Sequence, residues 1–188
     1  MTDIDDTLLD NSDYQAWLVR ENKAYPAGWQ EWVDQGAAKP LPGTLDFLNH
    51  AAKKGVEIFY ITNRTSVEKD GTLKNLKAFN FPLPDEKHLM LRETTTSKTP
   101  RRAAIQKDHD VLLLLGDNLA DFDQVFEGEP TIQARQDGLD RFRSSWGKKF
   151  MILPNPMYGD WEAALYRLNF KLTPEEKDQL RRKALRAF

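Results

Sequence analysis

The sequence predicts an α/β fold with a doubly wound, mainly parallel sheet. Two apolar runs, at residues 56–61, where Glu57 is the one charged residue, and at 111–115, are short, rich in branched or aromatic side chains, and followed by polar residues. Such runs are typical of strands that are buried on both faces. Helical patterns fill the intervals between the strands. This alternation indicates helices on both faces of a parallel sheet.

Further elements complete this prediction. Apolar runs at residues 150–153 and, more weakly, 88–91 predict two more strands. The predicted helices cover about residues 13–22, 29–35, 42–54, 67–79, 98–107, 119–126 and 160–167, and a last one begins at Thr173. We expect one domain over residues 1–188, with a small helical, cap-like insertion at about residues 10–45 after the first strand.

Composition excludes several classes of protein. The net charge is only -2 and the two signs are interspersed, so no basic surface for nucleic acid is indicated. The chain has no cysteine, which excludes disulfides and thiolate metal sites. No apolar run approaches the roughly 20 residues that span a bilayer, and no basic-then-apolar leader opens the chain. Neither a P-loop nor a dinucleotide-binding glycine motif is present.

The first acidic motif is DIDDT at residues 3–7. On an extended segment Asp3 and Asp5 project to the same side, where their carboxylates repel each other unless a cation or a proton intervenes. Mg²⁺ typically takes one or two carboxylates together with phosphate oxygens. This pattern indicates a Mg²⁺ site. The alternative for this segment taken alone is a solvated acidic terminus.

The second acidic motif is GDNLAD at residues 116–121, directly after a predicted buried strand. Ligands of parallel α/β sheets bind beyond the carboxyl ends of the strands, so Asp117 and Asp121 are candidates for the same metal site. Helix capping by Asp117 or Asn118 is the alternative. Thr62 ends the other central strand, and its hydroxyl is a candidate donor to an oxygen of a bound phosphoryl group. Lys98 is a candidate positive charge beside the same phosphoryl group.

The order of these motifs resembles the haloacid dehalogenase superfamily, and within it the class C acid phosphatases, which include the 5'-nucleotidase lipoprotein e(P4) type. The resemblance extends from residue 3 to about residue 162. The motifs that carry it are DIDDTLLDNS (3–12), ITNR (61–64), EKDGT (68–72), SKTPR (97–101), GDNLADF (116–122) and LPNPMYGDW (153–161).

The resemblance implies a Mg²⁺-dependent phosphatase in which Asp3 is transiently phosphorylated. Asp5 then acts as general acid and base, and Thr62 and Lys98 hold the phosphoryl oxygens. The implied metal ligands are Asp3, the backbone carbonyl of Asp5, and Asp117, with Asp121 orienting the ligands around the ion.

The resemblance also implies a small phosphomonoester substrate, in particular a nucleoside 5'-monophosphate. Trp29 and Tyr158 match aromatic residues that flank the ring of such a substrate, and Asn63 is a further candidate contact. The alternative for Trp29 is packing in the protein core. A homo-oligomer is possible in this family. Export to the bacterial cell envelope is implied for the full-length parent.

Three other functions stay open at this point. A catalytically impaired family member would bind nucleotide or phosphate without turnover. A calcium-binding structural domain would use the acidic motifs alone, but it would have no need of Thr62 and Lys98. A phosphotransferase or phosphomutase would use the same phosphorylated aspartate.

The N-terminus departs from the family pattern, because only Met1 and Thr2 precede Asp3. A nucleophile in this fold follows a central strand of about five residues. We therefore expect a truncated first core strand, with neighbouring strands that keep unpaired backbone groups and a groove in the core.

Overall fold

A computed structural model of the chain describes residues 1–128, 131–169 and 171–186. Four short parallel strands form the main sheet: β3 (Tyr60–Ile61), β4 (Leu89–Met90), β5 (Leu114–Gly116) and β6 (Phe150–Ile152). Strand β3 pairs with β4 and β5 pairs with β6, both in parallel. The parallel sheet and all four strands agree with the prediction, although each strand is shorter than its apolar run.

The N-terminal segment (residues 1–3) occupies the centre of this sheet. Thr2 forms parallel bridges to Tyr60 of β3 and to Leu115 of β5. The amide of Asp3 donates to the carbonyl of Leu115 at 3.0 Å, and the amide of Ile61 donates to that of Thr2 at 2.7 Å. The expectation of unpaired neighbours is therefore wrong at this end of the sheet. Residues 56–59 and 111–113, further from this end, lie outside the assigned strands.

Eight α-helices surround the sheet in the described part of the chain. They are α1 (Ser12–Arg20), α2 (Trp29–Gln35), α3 (Thr44–Lys53), α4 (Lys69–Ala78), α5 (Thr99–Ile105), α6 (Ile132–Arg141), α7 (Asp160–Ala163) and α8 (Pro174–Ala184). Helix α6 was not predicted. The single helix predicted at 119–126 is wrong, because the chain forms two separate 3₁₀ turns there, Leu119–Asp121 and Gln124–Phe126.

Side chains along the central run at residues 56–61 alternate between two cores. Ile58 and Tyr60 pack in one cluster with Leu48 of α3 and Leu76 of α4. Phe59 and Ile61 belong to a second cluster, which contains Ile105 of α5. Apolar side chains on both faces of a strand require helices on both faces of the sheet. This is the doubly wound arrangement that the apolar run predicts.

Helices α1 and α2 lie within the stretch where the sequence predicts a cap-like insertion. A short antiparallel pair, β1 (Leu9–Asp10) with β2 (Lys39–Pro40), closes the base of this stretch. Helix α2 packs against α4, where the absence of a side chain on Gly71 lets the two backbones approach closely. Within the described residues, no helix combines the length and apolarity needed to cross a bilayer.

The α2–α4 contact predicts the effect of Gly71→Ala. A Cβ atom at this position would lie 2.6 Å from the carbonyl oxygen of Val33. Alanine is the better helix former by about 1 kcal/mol, so a freely exposed helix would gain stability. We expect a loss of about 1–3 kcal/mol in the free energy of unfolding instead, measured by denaturant titration.

Lys77→Ala on the exposed face of α4 is the matched control, and its expected change is within about 0.5 kcal/mol. A Gly71→Ala protein as stable as the parent chain would contradict the packing of α2 on α4.

Candidate active site

The candidate site lies at the carboxyl ends of the parallel strands. The N-terminal segment ends at Asp3, β3 is followed by Thr62, and β5 is followed by Asp117. Because these three chain segments are neighbours in one sheet, the residues that end them share one edge. Asp3 and Thr62 are buried. The sheet therefore brings together side chains that are 59 and 55 positions apart in sequence.

Three carboxylates meet at this edge. Oxygens of Asp3, Asp117 and Asp121 all lie within 4.8 Å of one another. Among the residues described, this is the only cluster of three or more acidic, histidine or cysteine side chains close enough to hold one metal ion. Lys98 contributes one ammonium group, which contacts Asp3 and lies 2.6 Å from Asp121. One positive charge among three carboxylates leaves an excess of negative charge. A hard divalent cation with oxygen ligands fits this donor set.

The electrostatics of the carboxylates reflect this excess charge. Burial raises the pKa of Asp3 well above its ordinary value; Lys98 opposes this shift, while Asp121 and Asp117 add to it. Burial and the charge of Asp121 raise the pKa of Asp117 to about 6. Burial lowers the pKa of Lys98, but Asp121 and Asp3 outweigh it and raise the pKa overall. Lys98 is therefore a fixed cation.

Local backbone features place the acidic residues. Gly116 is required by a close approach, because a Cβ atom there would lie 2.4 Å from the Asp121 carboxylate. Asp121 caps its own 3₁₀ turn by accepting the amide of Asn118 at 3.0 Å. In the GDNLAD motif, the 3₁₀ turn after Asp117 therefore brings the Asp121 carboxylate back over the end of β5. Both oxygens of Asp121 already have protein partners, which suits a residue that orients the metal's other ligands.

Two polar side chains that the sequence motifs did not indicate bind two of the three carboxylates, those of Asp3 and Asp117. The hydroxyl of Thr7 lies 3.2 Å from both Asp3 and Asp117. Asn155 donates its amide to Asp117 at 2.8 Å and accepts the amide of Tyr158 at 3.3 Å. Asn155 follows β6, so the strand-end argument that found Asp117 also applies to it.

Asp5 is turned away from the three carboxylates. Arg64 binds both of its oxygens, at 2.7 Å through Nη2 and 3.1 Å through Nε, and Asn11 donates to it at 2.9 Å. Burial alone would raise the pKa of Asp5, but the charge and hydrogen bonds of Arg64 and the hydrogen bond from Asn11 lower it. Asp5 is therefore an ionised carboxylate here. Its carboxylate is not part of the three-carboxylate group.

The three predicted substrate residues surround the site at different depths. Trp29 lies over the Arg64 guanidinium, with 5.4 Å between that group's carbon and the ring centroid. The hydroxyl of Tyr158 donates to Asp6. Asn63 is exposed and accepts a hydrogen bond from Arg101 at 2.7 Å.

Asp6 occupies a left-handed backbone conformation with φ of +55°. Among residues with a side chain, Asp and Asn tolerate this conformation best. The turn returns the chain so that Thr7 reaches back to Asp3, and Asp6 itself accepts the amide of Asn11 at 3.1 Å. The third D of DIDD, Asp6, therefore stabilises the turn and accepts the hydrogen bond of Tyr158.

Comparison with known proteins identifies the family. The sequence model of the family described as HAD superfamily, subfamily IIIB (Acid phosphatase), matches residues 1–161. The chain belongs to this family of HAD acid phosphatases. The resemblance to the haloacid dehalogenase superfamily that the motifs carry is confirmed.

Solved structures of class C acid phosphatase from Bacillus anthracis resemble this family member closely. One, determined with tungstate bound, is 40% identical with a TM-score of 0.95, and the match covers 100% of this chain and 78% of that one. A second structure is 41% identical with a TM-score of 0.93 over the same shares. The predicted fold is confirmed.

Among curated proteins, Vegetative storage protein 1 of Arabidopsis thaliana is 30% identical over 166 residues, which cover 83% of this HAD acid phosphatase and 53% of the relative. Acid phosphatase 1 of Solanum lycopersicum is 26% identical over 83% of this chain and 56% of its own length. The chain thus spans about half the length of these relatives. Their names include both storage proteins and a phosphatase.

The raised pKa of Asp117 predicts how stability depends on pH without metal. A carboxyl whose folded pKa exceeds its unfolded value of 3.8 destabilises the fold as pH rises towards about 6. The expected loss for Asp117 is about 2–3 kcal/mol, complete above pH 6. We expect the melting temperature in EDTA to fall from pH 4 to pH 6, and Mg²⁺ to reverse the fall.

Asp117→Asn should make this fall shallower, with the remaining fall due to Asp3, whose pKa is also raised, whereas the exposed Asp137→Asn should leave the profile unchanged. A parent chain whose melting temperature in EDTA rises between pH 4 and pH 6, with no difference from Asp117→Asn, would contradict the account of Asp117.

Proposed function

We propose that the chain is a Mg²⁺-dependent acid phosphatase that hydrolyses small phosphomonoesters through a phosphorylated Asp3. The observation that carries this proposal is the buried contact of Asp3 with Lys98, beside Asp117 and Asp121, at the carboxyl edge of a parallel sheet. A nucleophile, a fixed cation and carboxylates for a metal are then within reach of one phosphoryl group. Family membership and the tungstate complex of the Bacillus anthracis relative support this, since tungstate is a tetrahedral oxyanion like phosphate.

The metal site suits Mg²⁺. We expect Asp3, the backbone carbonyl of Asp5, and Asp117 to hold the ion, with Asp121 orienting its other ligands. When bound, the ion supplies positive charge that lets an anionic nucleophile approach an anionic phosphoryl group. The same charge favours the ionised forms of Asp3 and Asp117, whose pKa values are raised without it.

In the first step a carboxylate oxygen of Asp3 attacks phosphorus. A bond forms between that oxygen and phosphorus, the bond to the leaving oxygen breaks, and Asp5 donates a proton to the leaving oxygen. Lys98 and the hydroxyl of Thr62 donate to the phosphoryl oxygens and hold them in line. Lys98 does this by exchanging part of its contact with Asp3 and Asp121 for the phosphoryl group.

In the second step water cleaves the phosphorylated Asp3. Asp5, now a carboxylate, takes one proton from the water as a bond forms between the water oxygen and phosphorus. The bond between the Asp3 oxygen and phosphorus breaks, and phosphate leaves. The conformation bound to Arg64 holds Asp5 in this ionised form. The first step therefore requires the Asp5 carboxyl to leave Arg64 and take up a proton, which acidic solution favours.

We further propose nucleoside 5'-monophosphates as substrates, with Trp29 and Tyr158 beside the ring and Asn63 as a polar contact. Tyr158 is tied to the catalytic loop through Asp6, and Trp29 lies over the arginine that holds Asp5. Both aromatic rings therefore border the space next to the general acid, where a leaving group must lie. Location in the cell envelope and assembly into a homo-oligomer stay predictions from the family.

Asp3→Asn tests the nucleophile. An amide is a poor nucleophile toward phosphorus, so kcat for phosphate release from a panel of nucleotides and sugar phosphates should fall by on the order of 10⁴-fold or more. The substitution keeps the side chain's size, and the melting temperature should stay within a few degrees.

Asp123→Asn, on a residue that caps the 3₁₀ turn Gln124–Phe126, is a control that leaves the three-carboxylate group intact. An active Asp3→Asn protein would exclude Asp3 as nucleophile. A parent chain that binds Mg²⁺ and nucleotide without phosphate release would instead support the catalytically impaired alternative.

Tyr158→Leu tests the substrate class. Stacking on an aromatic ring is worth about 1–3 kcal/mol per base, which corresponds to about a 5- to 150-fold rise in KM for a nucleoside monophosphate. KM for a phosphomonoester without a ring should rise much less, because that substrate has nothing to stack. Steady-state kinetics on AMP and glycerol phosphate measure the difference.

Trp161→Leu is the matched control, since Trp161 is a neighbouring aromatic residue with 43% of its surface exposed. Equal changes in KM for both substrates in Tyr158→Leu would exclude ring recognition by Tyr158.

A further inference from the structure

Two adjacent arginines on α5 donate to the loops that carry the site. Arg101 bonds the backbone carbonyl of Thr62 through Nη1, and its Nη2 donates to Asn63 at 2.7 Å. The same Nη2 also donates to the carbonyl of Ser97 at 3.0 Å, in the turn before Lys98. One guanidinium therefore joins the loop that presents Thr62 to the loop that presents Lys98.

Arg102 holds a different loop. Its Nη1 donates to the backbone carbonyls of Ala120 at 2.9 Å and Asp121 at 3.1 Å. Its Nη2 donates to the hydroxyl of Thr99 at 2.6 Å and contacts Glu127 at 3.3 Å. Arg102 is buried. This guanidinium therefore fixes the 3₁₀ turn that carries Asp121 to the start of α5.

Helical geometry explains why neighbouring residues serve different loops. Consecutive side chains on an α-helix point about 100° apart, so Arg101 faces the end of β3 while Arg102 faces the loop after β5. Lys98 lies at the N-cap of the same helix. Helix α5 is therefore a common support for Lys98, for the loop of Thr62 and for the loop of Asp121.

The bonds of the two arginines indicate positioning and not contact with substrate. Arg101 donates to backbone carbonyls and to Asn63, and Arg102 to two backbone carbonyls, a hydroxyl and a carboxylate outside the three-carboxylate group. A guanidinium can join several acceptors in fixed directions because its five N–H groups form a planar fork. Lysine has the same charge but not this geometry.

We propose that Arg101 and Arg102 are positioning residues that set two separable properties of the site. Arg101 sets the spacing of Thr62 and Lys98, and so the affinity for the phosphoryl group. Arg102 sets the place of Asp121, and so the affinity for the divalent cation. This inference rests on the proposed function for the identity of the two ligands.

Arg101→Lys and Arg102→Lys test the proposal on the full chain by calorimetric titration, which needs no turnover. Arg101→Lys should weaken binding of inorganic phosphate, measured at saturating Mg²⁺, about tenfold and change Mg²⁺ affinity less than twofold. Arg102→Lys should weaken Mg²⁺ binding about tenfold and change phosphate affinity less than twofold. In kinetics Arg101→Lys should raise KM for a phosphomonoester more than it lowers kcat. Arg143→Lys, on an exposed side chain, should change neither affinity.

The proposal is supported by a crossed pattern, in which Arg101→Lys weakens phosphate binding alone and Arg102→Lys weakens Mg²⁺ binding alone. Equal losses of both affinities in both variants, or no loss in either, would overturn it. If either lysine variant fails to fold, variants of the partners decide: Asn63→Ala loosens Arg101 and should weaken phosphate binding, and Glu127→Gln loosens Arg102 and should weaken Mg²⁺ binding. The proposal would also be overturned if Asn63→Ala and Glu127→Gln each weakened both affinities equally or weakened neither.

The binding measurements separate this inference from the proposed function. A parent chain that shows the crossed pattern but releases no phosphate would contradict the phosphatase proposal alone. A parent chain that hydrolyses phosphomonoesters but shows no crossed pattern would contradict the inference alone.

Discussion

The site depends on three carboxylates that lie close together, two of them buried and in contact with one ammonium group. Asp3, Asp117 and Asp121 repel each other at short range, and Lys98 compensates only part of their charge. Such a cluster is stable only if surrounding donors satisfy its oxygens and a proton or cation supplies the missing charge. Thr7, Asn155 and the amide of Asn118 are those donors. Much of the polar structure around the sheet edge therefore serves this cluster.

Much of the fold and part of the site were predictable from the sequence. Strands buried on both faces produce apolar runs, and the residues that follow them share an edge, which indicated Thr62, Asp117 and Asp121 as candidates. Asp3 follows no apolar run and was indicated by the acidic motif at residues 3–7. Helix α6 was missed because its surface is mostly polar and it lacks a clear apolar face. The 119–126 region was misread because Asp121 and Asp123 each cap a 3₁₀ turn, and these caps divide the stretch.

The contacts of the arginines were not predictable in the same way. Arg64 lies three residues after the end of β3, yet nothing in a linear pattern shows that it binds Asp5, 59 positions away. Arg101 and Arg102 donate mainly to backbone carbonyls, which have the same chemistry at every residue. Side-chain types therefore reveal where charges meet, whereas contacts to backbone need the three-dimensional path of the chain.

The pKa shifts of Asp3 and Asp5 without ligands are opposite to those that the first step of the proposed mechanism requires. Burial and neighbouring carboxylates raise the pKa of Asp3, which disfavours the nucleophilic carboxylate, while Arg64 lowers the pKa of Asp5, which disfavours the general acid. A divalent cation beside Asp3 favours its ionised form, and an anionic phosphate ester beside Asp5 favours the protonated form of that residue. Each ligand therefore shifts the protonation equilibrium of one of the two residues towards the form that the proposed first step requires. In the proposed mechanism the reactive combination, an ionised Asp3 with a protonated Asp5, is therefore favoured only when metal and substrate are bound together.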